Sequence, residues 1–380
     1  MQPTQVMNVK AVMAVSLELS GKSWKLAATD GRRERPSLFV ADAGEARGRF
    51  EEMVQRIDLL ARQWGMPEGR EVVVIYEAGQ DAFWIARALE ARGIRVLVVD
   101  AASIPVARQA RRAKTDRLDA LLLLRCLQTW LAGQRDGMRV VHVPEAQAEM
   151  HRHLPRDRGE LQKELGQHRD RIRKLLRTVG CWQALQGDLR ARLKAGEFAC
   201  WDGQALPVDL RQRLEREAER LQVAQQQLAA LDRTLLAQLP EPLQERIAQL
   251  AQLKGVGWVG ATRLVLELYW RNFHNRRQVG CCVGLVAQPY DSGDSRVDQG
   301  ISKQGNRRVR ALLIEMAWMW LRYQPDSALA QWFAQRTAAN AANKRGKRIA
   351  IVAVARRLAI ALWRFLADGV MPQGAQFKKA

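Results

Sequence analysis

Nowhere does this chain run for about 18 apolar residues free of charge, which is the length a membrane-spanning helix needs. The nearest approach, 349–366, is interrupted by Arg356, Arg357 and Arg364. The first residues do not read as a signal peptide. Cysteine is scarce: Cys126, Cys181, Cys200, Cys281 and Cys282 are odd in number and show no C-x-x-C spacing. That pattern excludes a disulfide scaffold or a zinc knuckle and predicts reduced, buried thiols in a cytosolic protein. Five scattered histidines offer no metal-ligand pair; His151 and His153 are two apart, which on a helix divides them between faces. Acid is also in short supply, with 40 Asp and Glu against 61 Lys and Arg, a net charge of +21. Such an excess implies a polyanionic partner, nucleic acid first and an anionic membrane surface second.

What is present is enough for a buried core. The 380 residues, 47% hydrophobic, predict two or three domains and not a disordered chain. The twelve tryptophans are expected mostly in cores. Residues 8–17 read as a first strand and 24–28 as a second. Asp30-Gly31 then turns into a third at 37–40. Helical periodicity covers 46–64. Glu71 to Tyr76 and Ile94 to Val99 are near-continuous apolar runs, the mark of strands covered on both faces, and a helix over 83–90 separates them. A three-strand meander followed by α-β-α-β predicts a mixed α/β sheet with flanking helices.

Within that frame the acids fall at strand ends. Glu18 closes the first strand region and Glu77 the fourth, while Asp116 and Asp119 open a helix that runs into Leu121 to Leu127. Three residues apart, Asp116 and Asp119 share a helix face. As an isolated D-x-x-D, the pair is also what the positive end of a helix dipole favours. In open α/β sheets, however, sites collect beyond the carboxyl ends of the strands. Four converging carboxylates require cations to coexist, and all-oxygen ligands suit Mg²⁺. Paired ions clamp both oxygens of a phosphodiester displacement. Arg108, Arg111, Arg112 and Lys114 supply charge to hold a nucleic-acid backbone beside such a pocket.

Residues 134–155 are polar and contain Pro144 and Pro155, which predicts a boundary. Beyond it Leu161, Leu165, His168, Ile172 and Leu175 repeat at spacings of 4 and 3, and Leu214, Leu221, Leu228 and Leu235 recur every seven residues. The two helices would pair either with each other as an antiparallel hairpin or with a second subunit as a coiled coil. His168, on that seam, is expected to pack. The stretch 253–261, with Gly255 and Gly257, resembles a helix-hairpin-helix, whose glycines let backbone amides approach a phosphate; a plain helix-helix turn is the alternative. Residues 284–310 read as a loop rich in Gly, Ser, Asp and Arg, ahead of a long apolar helix over 311–320. Ser292 is a candidate nucleophile there, with Ser295 and Ser302 competing. The alternative makes these serines turn or cap residues, Ser302 above all. The basic tail, with Lys344, Arg345, Lys347, Arg348, Lys378 and Lys379, is expected at phosphates or simply solvated.

Taken together, these motifs resemble the DEDD-type insertion-sequence transposases, the bridge-RNA-guided recombinase family with a RuvC-like domain in front and a serine-bearing transposase domain behind. The likeness rests on 17–22, Glu77-Ala78, Lys114-Thr115-Asp116 with Asp119-Ala120, Gly255-Val256-Gly257, Ser292-Gly293 and the string 300–307 (Gly-Ile-Ser-Lys-Gln-Gly-Asn-Arg). One departure stands out: the family's first acid is usually Asp, and here it is Glu18.

The resemblance implies a RuvC-like (RNase H-like) catalytic domain over 1–133, a helical coiled-coil region over 134–245 and a mostly α-helical transposase domain over 246–380. It further implies Mg²⁺ on Glu18, Glu77, Asp116 and Asp119, and covalent attack on DNA by Ser292. Arg111, Arg112, Lys114, Lys303, Arg307, Arg308 and Arg310 would contact nucleic acid. Target and donor DNA and a structured guide RNA would be the partners, and a dimer or tetramer would act at the bacterial nucleoid. Two other readings stay open: a RuvC-like junction nuclease in which water attacks, and an inactivated nucleic-acid-binding relative.

Overall fold

The structure is a computed structural model and describes residues 11–104, 115–292, 295–338 and 344–379. Contacts divide the chain between Ala146 and Gln147 into two units. Residues 134–146 belong with the first because they complete its sheet side: Val140 bridges to Val99, and Val141 and Val143 pack on its core.

The first unit holds β1 (Val12–Glu18), β2 (Trp24–Thr29), β3 (Ser37–Ala41), α1 (Ala46–Gln63), β4 (Glu71–Glu77), α2 (Ala82–Glu90), β5 (Arg95–Val99) and α3 (Asp116–Leu131). The strand order is β3-β2-β1-β4-β5. The first three strands pair antiparallel, and β4 and β5 extend the sheet parallel to β1. Each strand and helix expected in this half is found within a few residues of its expected bounds. The reason lies in β1 and β4, whose side chains alternate between two cores. Met13, Val15, Leu17, Val72, Val74 and Tyr76 join one core with α1 and α2. Ala14, Val73, Ile75, Leu97 and Val99 join the other with Ala120, Leu123, Leu124 and Leu127 of α3. Period-2 alternation with both faces apolar fixes the register, because a one-residue slip would exchange the two cores.

The second unit is helical except for one ribbon. Its elements are α4 (Ala146–His151), α5 (His153–Arg177), α6 (Leu189–Lys194), α7 (Val208–Thr234), α8 (Glu241–Ala251), α9 (Trp258–Glu267), α10 (Arg276–Cys282), β6 (Ala287–Ser292), β7 (Ser295–Ile301), α11 (Arg307–Tyr323), α12 (Ala328–Ala338) and α13 (Lys344–Asp368). The two heptad helices pair with each other. Arg158 donates to Asp232 at 2.7 Å and His168 Nδ1 lies 2.7 Å from Glu217 Oε2, so α5 and α7 run antiparallel. Leu165, Ile172, Leu176, Leu214, Leu221 and Ala224 fill the seam.

Glu217 is the polar lock of that seam. Burial opposes its ionisation, but the His168 hydrogen bond and the charges of Arg171 and Arg220 outweigh it and hold the carboxyl below its usual range. A depressed folded value stabilises the hairpin fully above the ordinary carboxylate pKa, and that contribution is lost as pH falls through the folded value. Glu217→Gln should therefore lose about 1–2 kcal/mol at neutral pH, discounted because both arginines are half exposed. It should also flatten the acid limb of stability. Urea unfolding of both proteins across pH checks this.

Two expectations need correction. Only Trp24 and Trp320 of the twelve tryptophans are fully buried. Arginines cover many of the others, as Arg158 does Trp258 and Arg152 does Trp270, so cation–π contact replaces burial in a core. The cysteines are free, but only Cys181 is buried; Cys126, Cys200 and Cys282 are half-buried and Cys281 is exposed. No helix among the described residues is long and apolar enough to cross a membrane.

Candidate active site

Strand parity decides where the acids of the first unit point. Glu18 follows Ala14 and Ser16 on the α3 face of β1, and Glu77 follows Val73 and Ile75 on the same face of β4. Leu17 is paired with Tyr76 in parallel register, so Glu18 and Glu77 are the next residues on two neighbouring strand ends. Across the antiparallel pair, Glu18 stands opposite Lys25. Lys25 Nζ in turn reaches Asp116 Oδ2 at 2.7 Å. The Ser16 hydroxyl donates to the Ala120 carbonyl at 2.6 Å, pinning the first turn of α3 two residues ahead of Glu18. Thr115 caps that helix, accepting from the Leu118 amide, and Asp116 and Asp119 occupy its first turn.

Glu18 and Glu77 therefore share the α3 face at the carboxyl ends of β1 and β4, Asp116 is tied to them through Lys25, and Asp119 sits in the same helical turn as Asp116. The four acids are not closed into a cage. Among the described residues, no group of three or more Asp, Glu, His or Cys stands close enough to hold a metal ion. Lys25 forms an ion pair with Asp116, and both side chains are substantially exposed, so the pair contributes at most about 1 kcal/mol. The donor set itself, oxygen only and carboxylate only, fits Mg²⁺. No local pattern marks Lys25; pairing β2 with β1 brings it to the acids. Arg111, Arg112 and Lys114 fall outside the described residues.

In the second unit, the stretch read as a loop is a β-ribbon. β6 pairs antiparallel with β7, and Ser292 faces Ser295 at its end, with Ser292 exposed. The ribbon has no apolar face to bury, which is why strand periodicity was absent from the sequence. Its base is held by a backbone clip. The Lys303 amide donates to the Gly284 carbonyl at 3.1 Å, and the Asn306 amide to the Cys282 carbonyl at 3.0 Å. Gly284 (φ +65°) and Gly305 (φ +93°) are left-handed, and a Cβ on either would run into the opposite carbonyl, that of Gln304 or Cys282. Gly284→Ala should thus cost several kcal/mol, adding left-handed strain of about 1 kcal/mol or more to a backbone clash. Differential scanning calorimetry checks it. An uncleft surface glycine, Gly21→Ala, with nothing within 4 Å of its Cβ, is the control.

Asn306, and not Ser302, caps the following helix, accepting from the Arg308 and Val309 amides. Its Nδ2 donates to Glu267 Oε2 at 3.1 Å. Of the expected nucleic-acid contacts, Lys303, Arg307 and Arg308 are exposed. Arg310 is different: it donates to the Val283 carbonyl, and burial, then the Arg307 charge, pushes its guanidinium below the usual value. Lys378 also bonds to the fold, donating to the carbonyls of Ala251, at the end of α8, and of Val256, in the turn before α9. Gly255 (φ +81°) spends its freedom on packing: a Cβ there would meet the Met319 carbonyl of α11 at 3.2 Å. The α8–α9 junction is a helix-helix turn seated on α11.

A family model described as the transposase IS116/IS110/IS902 family matches residues 247–331, and a DEDD transposase model of the IS110 type matches 42–180. Sinorhizobium fredii y4rJ, which bears a transposase name, is 38% identical over 391 residues, covering 99% of this chain and 97% of that protein. The chain belongs to the IS110 family of transposases.

A second Sinorhizobium fredii relative with a transposase name, y4qE, is 30% identical over 67% of this chain and 60% of its own length. The transposase of insertion sequence element IS1328 from Yersinia enterocolitica is 28% identical over 40% of this chain and 43% of its own. This transposase is a DNA strand-transfer enzyme of an insertion sequence. Its five-stranded mixed sheet agrees with a DEDD, RNase H-like domain, and such a domain implies divalent-metal dependence, typically Mg²⁺. The matched region at 42–180 contains Glu77, Asp116 and Asp119; Glu18 precedes it.

Proposed function

We propose that this IS110-family transposase cuts and rejoins DNA through a covalent serine–DNA intermediate, with Glu18, Glu77, Asp116 and Asp119 as the metal-binding acids and Ser292 as the nucleophile. The observation that supports the reading is that Glu18 and Glu77 end neighbouring strands on one face, and that Ser16 and Lys25 tie the start of α3, which carries Asp116 and Asp119, to the same side of the sheet. When bound there, Mg²⁺ supplies positive charge against the scissile phosphate and favours the ionised form of the attacking hydroxyl. The rest is done by the chain. Ser292 Oγ forms a bond to phosphorus as the bond to the departing strand oxygen breaks. The serine proton passes to a carboxylate of the acidic edge, and the departing oxygen takes one up. Attack by another strand's hydroxyl reverses these changes and frees Ser292. Because phosphodiester is exchanged for phosphodiester, no nucleotide hydrolysis is needed.

Ser292 and the acids belong to different units of the chain, so the reaction requires one assembly, from one subunit or two, that joins them. Glu18 carries one methylene more than Asp and reaches further from the strand end by about one bond length. Sequence choice is assigned to a structured guide RNA pairing with target and donor DNA, which leaves the protein to read backbone through exposed cations such as Lys303, Arg307 and Arg308. The experiment is incubation of the transposase with its element-end DNA, with Mg²⁺ or with chelator, scored for strand breaks and for SDS-resistant protein–DNA adducts. Adducts that require both Mg²⁺ and Ser292 support the reading. Strand breakage without adducts points to a hydrolytic nuclease and overturns it.

A further inference from the structure

A cleft of about 850 Å³ opens in the second unit between the first turn of α10, the base of the β6–β7 ribbon and one side of α13. Arg276 and Arg277 line it from α10, and Lys303 from the segment after β7. Four more cations, Arg345, Arg348, Arg356 and Arg357, come from α13. Among the described residues no Asp or Glu lines it. The floor is apolar: Leu285, Ile301, Val352 and Ile360, with Trp332 of α12 beside them.

Seven like charges around one cleft repel one another, and a fold gains nothing from that arrangement by itself. Arg345 also sits in the first turn of a 25-residue helix, where the macrodipole disfavours cations. Packing nevertheless holds the set in place. Gly280 is bare where the Arg356 side chain crosses α10; a Cβ there would come within 3.2 Å of Arg356 Nε. The Arg357 guanidinium lies 4.0 Å from the Trp332 ring centroid, over the ring, and cations and indoles are the side chains on which bases stack.

Charge complementarity calls for a polyanion, and the apolar floor selects which one. A duplex offers phosphates outside but keeps its base faces stacked within. An unpaired strand offers both phosphates and free base faces. The volume falls in the range of roughly 300–1,000 Å³ typical of small-ligand clefts, so it admits a nucleotide or two and not a double helix. We propose that this cleft seats an unpaired nucleic-acid strand, phosphates on the arginine walls and bases on the floor beside Trp332. Its lining comes wholly from the second unit, and binding there needs no metal.

The test uses the full-length protein in chelator, with fluorescence anisotropy of four labelled probes: a short oligo(dT), an oligo(U), an abasic strand of the same length and a blunt duplex. Arg348→Gln with Arg357→Gln, both at exposed positions, should weaken oligo(dT) or oligo(U) binding about ten-fold and lower the salt slope by about 1.4, at roughly 0.7 per single-strand contact. Arg276→Gln with Arg277→Gln, on another helix, should do the same, so that a folding defect in one variant does not decide the matter. Duplex binding should change far less. Tighter oligo(U) binding assigns the cleft to RNA and tighter oligo(dT) binding to displaced DNA; either sustains the proposal. An abasic strand bound as tightly as oligo(dT), or folded variants of both pairs that bind like the parent, overturns it. Because strand binding is measured in chelator, where the acidic edge cannot cleave, failure of the metal-dependent reading and failure of this cleft are read separately.

Discussion

Ser292→Ala should abolish the covalent protein–DNA adduct, by about a thousand-fold or more, while leaving the fold unchanged. Ser292 is exposed near the end of a ribbon and is paired through its backbone to Ser295, so losing one hydroxyl there removes no packing and leaves no buried group unsatisfied. Surface changes of this kind stay within about 0.5 kcal/mol of stability. The chemical loss is large because alanine has no atom able to bond phosphorus, and removing a nucleophile costs most of what an active site contributes. Ser295→Ala and Ser302→Ala are the comparisons. If Ser292 is only a ribbon residue, Ser292→Ala forms adducts as the parent does and the assignment of the nucleophile to Ser292 fails. Adduct yield on SDS gels and melting temperature, measured on the same preparations, give both halves of the result.

Asp119→Asn should lower Mg²⁺-dependent strand cleavage by about a thousand-fold or more, equivalent to several kcal/mol of transition-state stabilisation. The size of the effect separates two roles that the same residue fits. As an acid in the first turn of α3, Asp119 interacts with the helix dipole, which contributes about 0.3–1 kcal/mol of stability and nothing to chemistry. As a ligand at the acidic edge, it loses charge and donor strength on amidation while keeping its shape. A fall in melting temperature with cleavage intact would reduce it to a helix-capping acid. Asp116→Asn adds a second reading: it also releases Lys25, whose ammonium lies 2.7 Å from Asp116.

The first unit was largely legible in the sequence because its strands are covered on two faces. In Val72 to Tyr76 and Val96 to Val99 nearly every side chain is apolar, and turn residues such as Asp30-Gly31 mark where the chain reverses. Glu18 and Glu77 showed as candidates because each interrupts such a run at its end. The middle helices announced their seam through Leu165, Ile172, Leu214 and Leu221, but a heptad records an apolar stripe and not the helix that fills it. Arg158 with Asp232 and His168 with Glu217 made the partner the same chain.

The β6–β7 ribbon was the main loss. Its strands are short, exposed and contain Pro289, so alternation had nothing to report, and what holds it is the approach of Gly284 to Gly305 across 21 residues of sequence. The sequence alone determined the mixed sheet, the helical second half, the basic character and the acids worth watching, because each follows from side-chain chemistry repeated at short range. Only the tertiary structure decided that Lys25 meets Asp116, that Lys378 and Arg310 belong to the fold, and that seven cations surround one apolar floor. Those are meetings of single residues distant in sequence, and no local pattern encodes them.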